Sequence, residues 1–360
     1  MSRKITRRKA LTVGAVTSGG LLAGTATSQS VQQAGSPSSS PPFLLPWSPP
    51  ANVKRDLTPG KTPIRLASWS TEARLDYNRD TSITDRVKKI RDMGYTSACS
   101  VWGTEKKNPW LEASEEEIRE LKDALKTYDV TYFDVHTYTN NIHPDLAQRR
   151  KNHRYIIGQC ETAERVGAQM ITTHAGTRSS LQPISPHKDN WTWETRKLVV
   201  SVMKQLLKDT SGMQVPLAIE ACNMTCMNSP RAHLQLIEEV ADPRLKICLD
   251  PVNMMHPGVH FRTTELVNEC FDLLGENIIA GHCKDTYLRP DRMSMFLTEV
   301  MPGKGTMDFE TYLVGLSRLN STRSLLIEHG HSEDFPDWTN PEPKKYIDDT
   351  AARVGVKIYS

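Results

Sequence analysis

From residue 64 onward, short apolar or β-branched runs alternate with longer amphipathic stretches. This alternation predicts repeated βα units feeding a parallel sheet. Strands are expected at Ile64 to Ser68, Thr96 to Val101, Thr131 to His136, Gln169 to His174, Leu217 to Ala221, Leu245 to Asp250, Ile278 to Lys284 and Ser324 to Glu328. Helices are expected at Ile83 to Met93, Ser114 to Tyr128, Leu146 to Val166, Thr192 to Asp209, Ser229 to Val240, Thr263 to Leu274, Phe309 to Arg318 and Pro343 to Arg353. Ser114 with Glu117 three residues on reads as a capping box. Eight units favour an α/β fold closed into a (βα)8 TIM barrel over an open doubly wound sheet, and no glycine-rich dinucleotide fingerprint follows the first strand.

The segments before residue 63 read differently. Residues 1–34 begin with Arg3, Lys4, Arg7, Arg8 and Lys9, followed by a mildly apolar stretch from Ala10 to Ala26. A basic start followed by such a stretch is the pattern of an export signal peptide, with cleavage expected after Ala26. The run Thr6-Arg7-Arg8-Lys9-Ala10-Leu11 resembles a twin-arginine signal, which implies an exported, periplasmic or cell-envelope protein. The stretch is too short and mild for stable membrane insertion. Residues 35–62 are rich in Pro and Ser and are expected to be an irregular linker, leaving the barrel to residues 63–360. The formal charge of +3 owes much to the N-terminus; without those five cations 40 basic residues face 42 acidic ones. That balance gives no general footprint for nucleic acid, so no nucleic-acid partner is expected. Seven scattered cysteines, an odd number, argue against a disulfide framework, and Cys222 and Cys226, the one close pair, are expected to be buried thiols.

Loops after strands are long, notably Ala175 to Trp191 and Asp285 to Asp308. In TIM barrels that face carries the chemistry. Glu220, Asp250, His282 and Glu328 each end a proposed strand, the fifth to the eighth, at intervals of 30, 32 and 46 residues. The first two intervals match one βα unit each, and alternate strand residues face inward, so the four side chains can converge. Three carboxylates and one imidazole make a mostly oxygen donor set for one divalent ion: Mn²⁺ first, then Mg²⁺, with Co²⁺ or Zn²⁺ as alternatives.

The runs Leu217-Ala-Ile-Glu220-Ala, Leu249-Asp250-Pro-Val-Asn253, Gly281-His282-Cys-Lys284-Asp285, Pro302-Gly303-Lys-Gly305 and Leu326-Ile-Glu328 together resemble the xylose isomerase-like superfamily, specifically its sugar phosphate isomerase/epimerase group. The resemblance spans roughly Pro63 to Val354. It implies that the four residues are metal ligands and that Glu220 and Glu328 also act as acid and base on a small carbohydrate. A metal chelated by a carbonyl and its neighbouring hydroxyl acidifies the intervening C–H and stabilises the enediolate. Two carboxylates can then remove and return a proton, giving epimerisation or aldose–ketose isomerisation. The same enolisation permits β-elimination, so a lyase or dehydratase acting on a 3-keto-glycoside or an inosose is the alternative. A non-catalytic exported sugar-binding protein is a third reading, against which the intact pair Glu220 and Glu328 argues. The chemistry leaves a homo-oligomer open.

Departures from the superfamily's patterns narrow the reading. Its apurinic endonucleases hold three zinc ions, and the runs around His136 and His174 resemble theirs, but Asn253 and Met293 stand where they carry histidines. One metal is therefore expected, with His136 and His174 facing substrate or standing behind the ligands. Ketose 3-epimerases also place a histidine where this chain has Asn253, and amide cannot shuttle a proton near neutral pH. His256 and His260 follow in that loop as substitutes. Lys284 shares the inward parity of His282 and is a candidate for a substrate oxygen, or else for a pair with Asp285. Arg289 and Arg292 lie in a loop that can hold substrate, Trp69 and Trp102 follow strands where an indole can stack on a sugar, and Lys304 lies in a glycine-rich turn leading to Asp308 as a helix cap.

Overall fold

The computed structural model describes residues 54–103, 108–328 and 340–360. Eight parallel strands form one sheet: β1 (Ile64–Ser68), β2 (Ser97–Gly103), β3 (Thr131–Tyr138), β4 (Met170–His174), β5 (Leu217–Glu220), β6 (Leu245–Leu249), β7 (Ile278–Cys283) and β10 (Arg323–Ile327). Their order is β1-β10-β7-β6-β5-β4-β3-β2. Between the two ends, Thr96 N–H donates to Leu66 C=O at 3.0 Å and brings β1 against β2. The result is the expected (βα)8 barrel. Its helices are α1 (Ile83–Asp92), α2 (Glu115–Thr127), α3 (Leu146–Val166), α4 (Trp193–Asp209), α5 (Pro230–Val240), α6 (Thr263–Leu274), α7 (Phe309–Ser317) and α8 (Glu342–Val354). Among the described residues no helix is long and apolar enough to cross a membrane.

Local chemistry explains the helix starts. The Ser114–Glu117 capping box forms as expected, and Ser82, Asp145, Ser229 and Asp308 accept the N–H three residues on at α1, α3, α5 and α7. Residues 54–63 have no regular structure and are tied to α7 and its cap, where Arg55 pairs with Asp308 and Glu310 and Arg318 pairs with Asp56.

The barrel interior sets the height of the site. Ala67, Cys99, Phe133, Met170, Ala218, Cys248, Ala280 and Leu326, one from each strand, pack into an apolar plug. Two residues further along their strands come Trp69, Glu220, Asp250, His282 and Glu328, which pleating directs to the same interior. Four residues beyond the plug stand His174 and Lys284. Glycine is needed beside this layer: a Cβ on Gly281 would lie 2.3 Å from Tyr312 Oη, which donates to Leu249 C=O at 2.7 Å, next to Asp250. Tyr312 thus braces β6 against β7 from outside the ligand layer.

One expected loop is not a loop throughout. Between β7 and α7 the chain makes an antiparallel hairpin, β8 (Asp285–Leu288) paired with β9 (Leu297–Val300). Each of its strands is four residues long, too short for a period-2 pattern to mark it off from a loop. Asp285 anchors its base, accepting N–H groups of Thr286, Gly303, Gly305 and Met307 at 2.9–3.1 Å. The Pro302-Gly303-Lys304-Gly305 turn therefore wraps a carboxylate. An ion pair between Lys284 and Asp285 does not form, because Lys284 faces the interior and pairs there with Asp250 and Glu328.

Candidate metal centre

Glu220, Asp250, His282 and Glu328 bring one potential ligand atom each to within 4.8 Å of one another. Glu220 ends β5; Asp250 and Glu328 follow directly on β6 and β10; His282 lies near the end of β7. All four are buried, with exposures of 2, 0, 1 and 7%. His282 presents Nδ1 to the carboxylates, 3.2 Å from Glu220 Oε1, 3.5 Å from Glu328 Oε1 and 3.9 Å from Asp250 Oδ2. Its Nε2 meets Cys248 Sγ at 3.1 Å in the plug below. Among the described residues Glu220 Oε2 accepts no hydrogen bond, and Asp250 Oδ2 has charge contacts from Lys284 Nζ at 2.9 Å and His282 Nδ1 at 3.9 Å, neither with hydrogen-bond geometry. Lys284 also donates to Glu328 Oε2 at 2.7 Å. Carboxylate oxygens, two of them without a hydrogen bond, converging on a buried imidazole nitrogen fit a divalent cation.

Electrostatics agree with that fit. Burial pushes the Asp250 carboxyl up to about 7 despite the neighbouring Lys284 ammonium. For Glu220 and Glu328 burial acts in the same direction, but His282 and other nearby cations overcome it and hold both carboxyls below their ordinary value. Burial lowers the His282 value, yet Cys248, Glu328 and Glu220 raise it well above that of a free imidazole. The centre is thus primed to exchange protons for a cation.

Above the cluster opens a cavity of 380 Å³ lined by Trp69, Tyr138, His174, Glu220, Asn253, Lys284, Glu299 and Glu328, with Ile184, Cys222, Asn223 and Met224. Asn253 Nδ2 donates to Glu220 Oε1 at 2.6 Å, while its backbone N–H caps Asp250 Oδ1 at 3.1 Å. His174 Nε2 stands 3.8 Å from Glu220 Oε2. His136 lies behind this wall, fully buried, its ring 5.0 Å from His282, 5.3 Å from Trp69 and stacked at 5.4 Å on Tyr138. Burial takes His136 down to about 3 and its neighbour Asp134 up to about 8, so both are neutral near pH 7.

The remaining sequence candidates sit elsewhere. Arg289 pairs with Asp291 at 2.8 Å at the hairpin tip and does not line the cavity, and Arg292 lies 3.6 Å from the same carboxylate. His260 supports the hairpin, its Nε2 accepting Leu288 N–H at 3.1 Å, and His256 Nδ1 accepts Gly258 N–H. The side chain of Trp102 lies outside the described residues. All seven cysteines are free and buried. Sequence reasoning gave no role to Tyr138, although it is the next inward step after His136, nor to Cys248, which shares the inward parity of Asp250. Glu299 carried no signal, because only the hairpin brings it over the mouth.

Fold and site together define a (βα)8 barrel whose carboxylate–imidazole cluster can hold a metal ion. The chain belongs to the xylose isomerase-like TIM barrel family, whose sequence model matches residues 87–353. No curated protein matches it significantly in sequence. A xylose isomerase-like TIM barrel protein from Mycobacterium smegmatis in complex with magnesium is similar in structure, with a TM-score of 0.57 at 15% identity, over 81% of this chain and 97% of that one. The probable 3-DHS dehydratase AsbF from Bacillus anthracis gives 0.55 at 18% identity, over 81% and 98%. A D-psicose 3-epimerase with D-tagatose from Clostridium cellulolyticum H10 gives 0.55 at 13% identity, over 81% and 96%. Identities this low establish a shared fold alone.

Proposed function

We propose that this chain is a divalent-metal-dependent isomerase or epimerase of a sugar or keto-sugar, working by proton abstraction next to a carbonyl. The observation that carries this reading is the placement of two carboxylates, Glu220 and Glu328, on the same cavity floor with Asp250 and His282 between them in sheet order. Glu220, Asp250, His282 and Glu328 would hold the ion, with Mn²⁺ the first expectation from the donor set and Mg²⁺, which the Mycobacterium protein binds, the next. When bound, the ion supplies Lewis acidity that makes the C–H beside a substrate carbonyl removable near neutral pH.

The protein's own groups do the rest. One of Glu220 and Glu328, held ionised by surrounding cations, takes the α-proton and later releases it to solvent, while the other takes a proton from solvent before returning it to carbon. Lys284 and Asn253 reach into the cavity with donors for substrate oxygens, and Asn253 also orients Glu220. Trp69 and Tyr138 offer aromatic surface for sugar C–H groups. The twin-arginine-like N-terminus supports a folded, metal-loaded barrel being exported, which favours an unphosphorylated substrate.

The test is metal analysis of the purified chain, then NMR of candidate keto-sugars in D₂O. Metal-dependent deuterium incorporation at the α-carbon with the product retained is the expected result. Release of a leaving group would instead make the chain a lyase, and no exchange from a metal-loaded protein across a broad panel would defeat the proposal.

A further inference from the structure

A second cavity, of 510 Å³, opens at the barrel mouth between the loops after β3 and β4. Its lining includes Tyr138, Thr139, His143, Gln148, Lys151 and Ser180. Tyr138 also lines the metal cavity, so the two spaces adjoin at this residue. The metal cavity alone, at 380 Å³, is near the low end of the roughly 300–1,000 Å³ usual for small-molecule sites.

The second space is built rather than incidental. Asn140, Asn141 and Asn152 are buried, with exposures of 4, 2 and 3%. Asn140 Oδ1 accepts Thr177 N–H at 2.8 Å and its Nδ2 donates to Ser179 C=O at 2.9 Å, while Asn141 Nδ2 donates to His174 C=O at 2.6 Å. Asn152 Nδ2 donates from α3 to Asn140 C=O at 2.8 Å. Gly176, at φ +95°, allows the approach, since a Cβ there would lie 2.6 Å from Asn140 Oδ1. Satisfied buried amides of this kind fix the two loops in one arrangement.

The lining chemistry then selects the occupant. Hydroxyl, amide, imidazole and ammonium groups mix donors and acceptors, as a polyhydroxylated ring requires. An anion is disfavoured, because the Asp145 carboxylate lines the cavity and already caps the N-terminus of α3, accepting Gln148 N–H at 2.7 Å.

We propose that this cavity is a subsite for a second sugar unit and that the substrate is a glycoside, its reacting keto-sugar lying over Glu220 and Glu328. This rests on the metal cavity being the reacting site. Calorimetry of the metal-loaded full chain with disaccharides and their component monosaccharides, followed by D₂O exchange on the corresponding keto-sugars, tests it. Disaccharides should bind at least tenfold more tightly than their components. Ser180→Trp, on the exposed rim, should lower that preference at least fivefold, and Lys151→Ala should lower it less; metal content reports folding of each variant. Equal binding of both classes, with exchange intact on monosaccharides, overturns the subsite and leaves the proposed function standing. Preferential disaccharide binding without exchange of any keto-sugar supports the subsite and overturns the proposed function.

Discussion

The two halves of the barrel mouth are built from different chemistry. Strands β5, β6, β7 and β10 bring Glu220, Asp250, His282, Lys284 and Glu328, a dense set of charges in direct contact. Strands β1, β3 and β4 bring Trp69, His136, Tyr138 and His174, aromatic rings in contact at 5.3–6.1 Å, with Tyr138 stacked on both histidines and Trp69 set edge-on or tilted to its neighbours. Burial leaves His136 neutral and lowers His174. One half can therefore hold a cation and move protons, while the other can shape a cavity and stack on a ring. The difference predicts that substitutions on the charged side strike turnover and metal affinity, and those on the aromatic side strike substrate binding.

The sharpest break should come from the two acid/base candidates. Glu220→Gln and Glu328→Gln keep shape and an oxygen donor but remove the base, so α-proton exchange should fall by about 10²–10⁴-fold at saturating metal, read by NMR in D₂O. A loss confined to KM would erase the proposed division between the halves. Next in size is the pH dependence of metal binding. Asp250 is held up to about 7 and His282 well above the ordinary imidazole value, so below neutrality both carry protons that a metal must displace. Metal affinity should therefore rise with pH and drop by about tenfold per unit for each proton displaced as pH falls below 7, with protons released on binding. Calorimetry in buffers of different ionisation enthalpy measures that release; binding independent of pH between 5 and 8 would remove this cluster from the metal site.

How much of this contrast can be read from the sequence follows from distance along the chain. The charged half is legible because the same strand-end position carries each ligand, at the spacing of one βα unit for 220, 250 and 282 and after a longer loop for 328, and all four sit in register above the plug residues 218, 248, 280 and 326. The strands and helices were legible for the same reason, since period-2 and period-3.6 patterns are local. Less of the aromatic half was. Which face of β3 looks inward depends on a register shift against β2 at Ala98 and Cys99, and that shift is set by tertiary pairing. Of the two places open to His136 from the sequence, facing substrate or standing behind the ligands, the fold gives the second, with its ring 5.0 Å from His282 and stacked on Tyr138. Glu299 is the extreme case: its place depends on the hairpin β8–β9 folding over the mouth, an arrangement held by Asp285 and four backbone N–H groups.

Beneath the charged half, Cys248 offers a subtler probe. Its Sγ lies 3.1 Å from His282 Nε2, leaving Nδ1 directed at the carboxylates. Replacing groups that orient a ligating histidine costs about 10–100-fold in metal affinity. Cys248→Ala should fall in that range and Cys248→Ser should recover part of it, because a hydroxyl can still bond to Nε2; a competition titration with a fluorescent chelator reads both.

The smallest expected effect lies on the aromatic side, and it decides whether the halves are functionally distinct. Trp69 is half-buried on the cavity wall, and its ring stands 6.1 Å from Tyr138. An aromatic pair contributes about 0.5–1.5 kcal/mol beyond its buried area, so losing one such contact with a sugar ring corresponds to at most about tenfold in binding. Trp69→Phe should therefore raise KM by severalfold, with kcat and metal content held near wild type, because neither the carboxylates nor His282 depends on the indole. A change in kcat as large as that in KM would mean that Trp69 shapes His136 and, through it, His282. The two halves would then act as one unit.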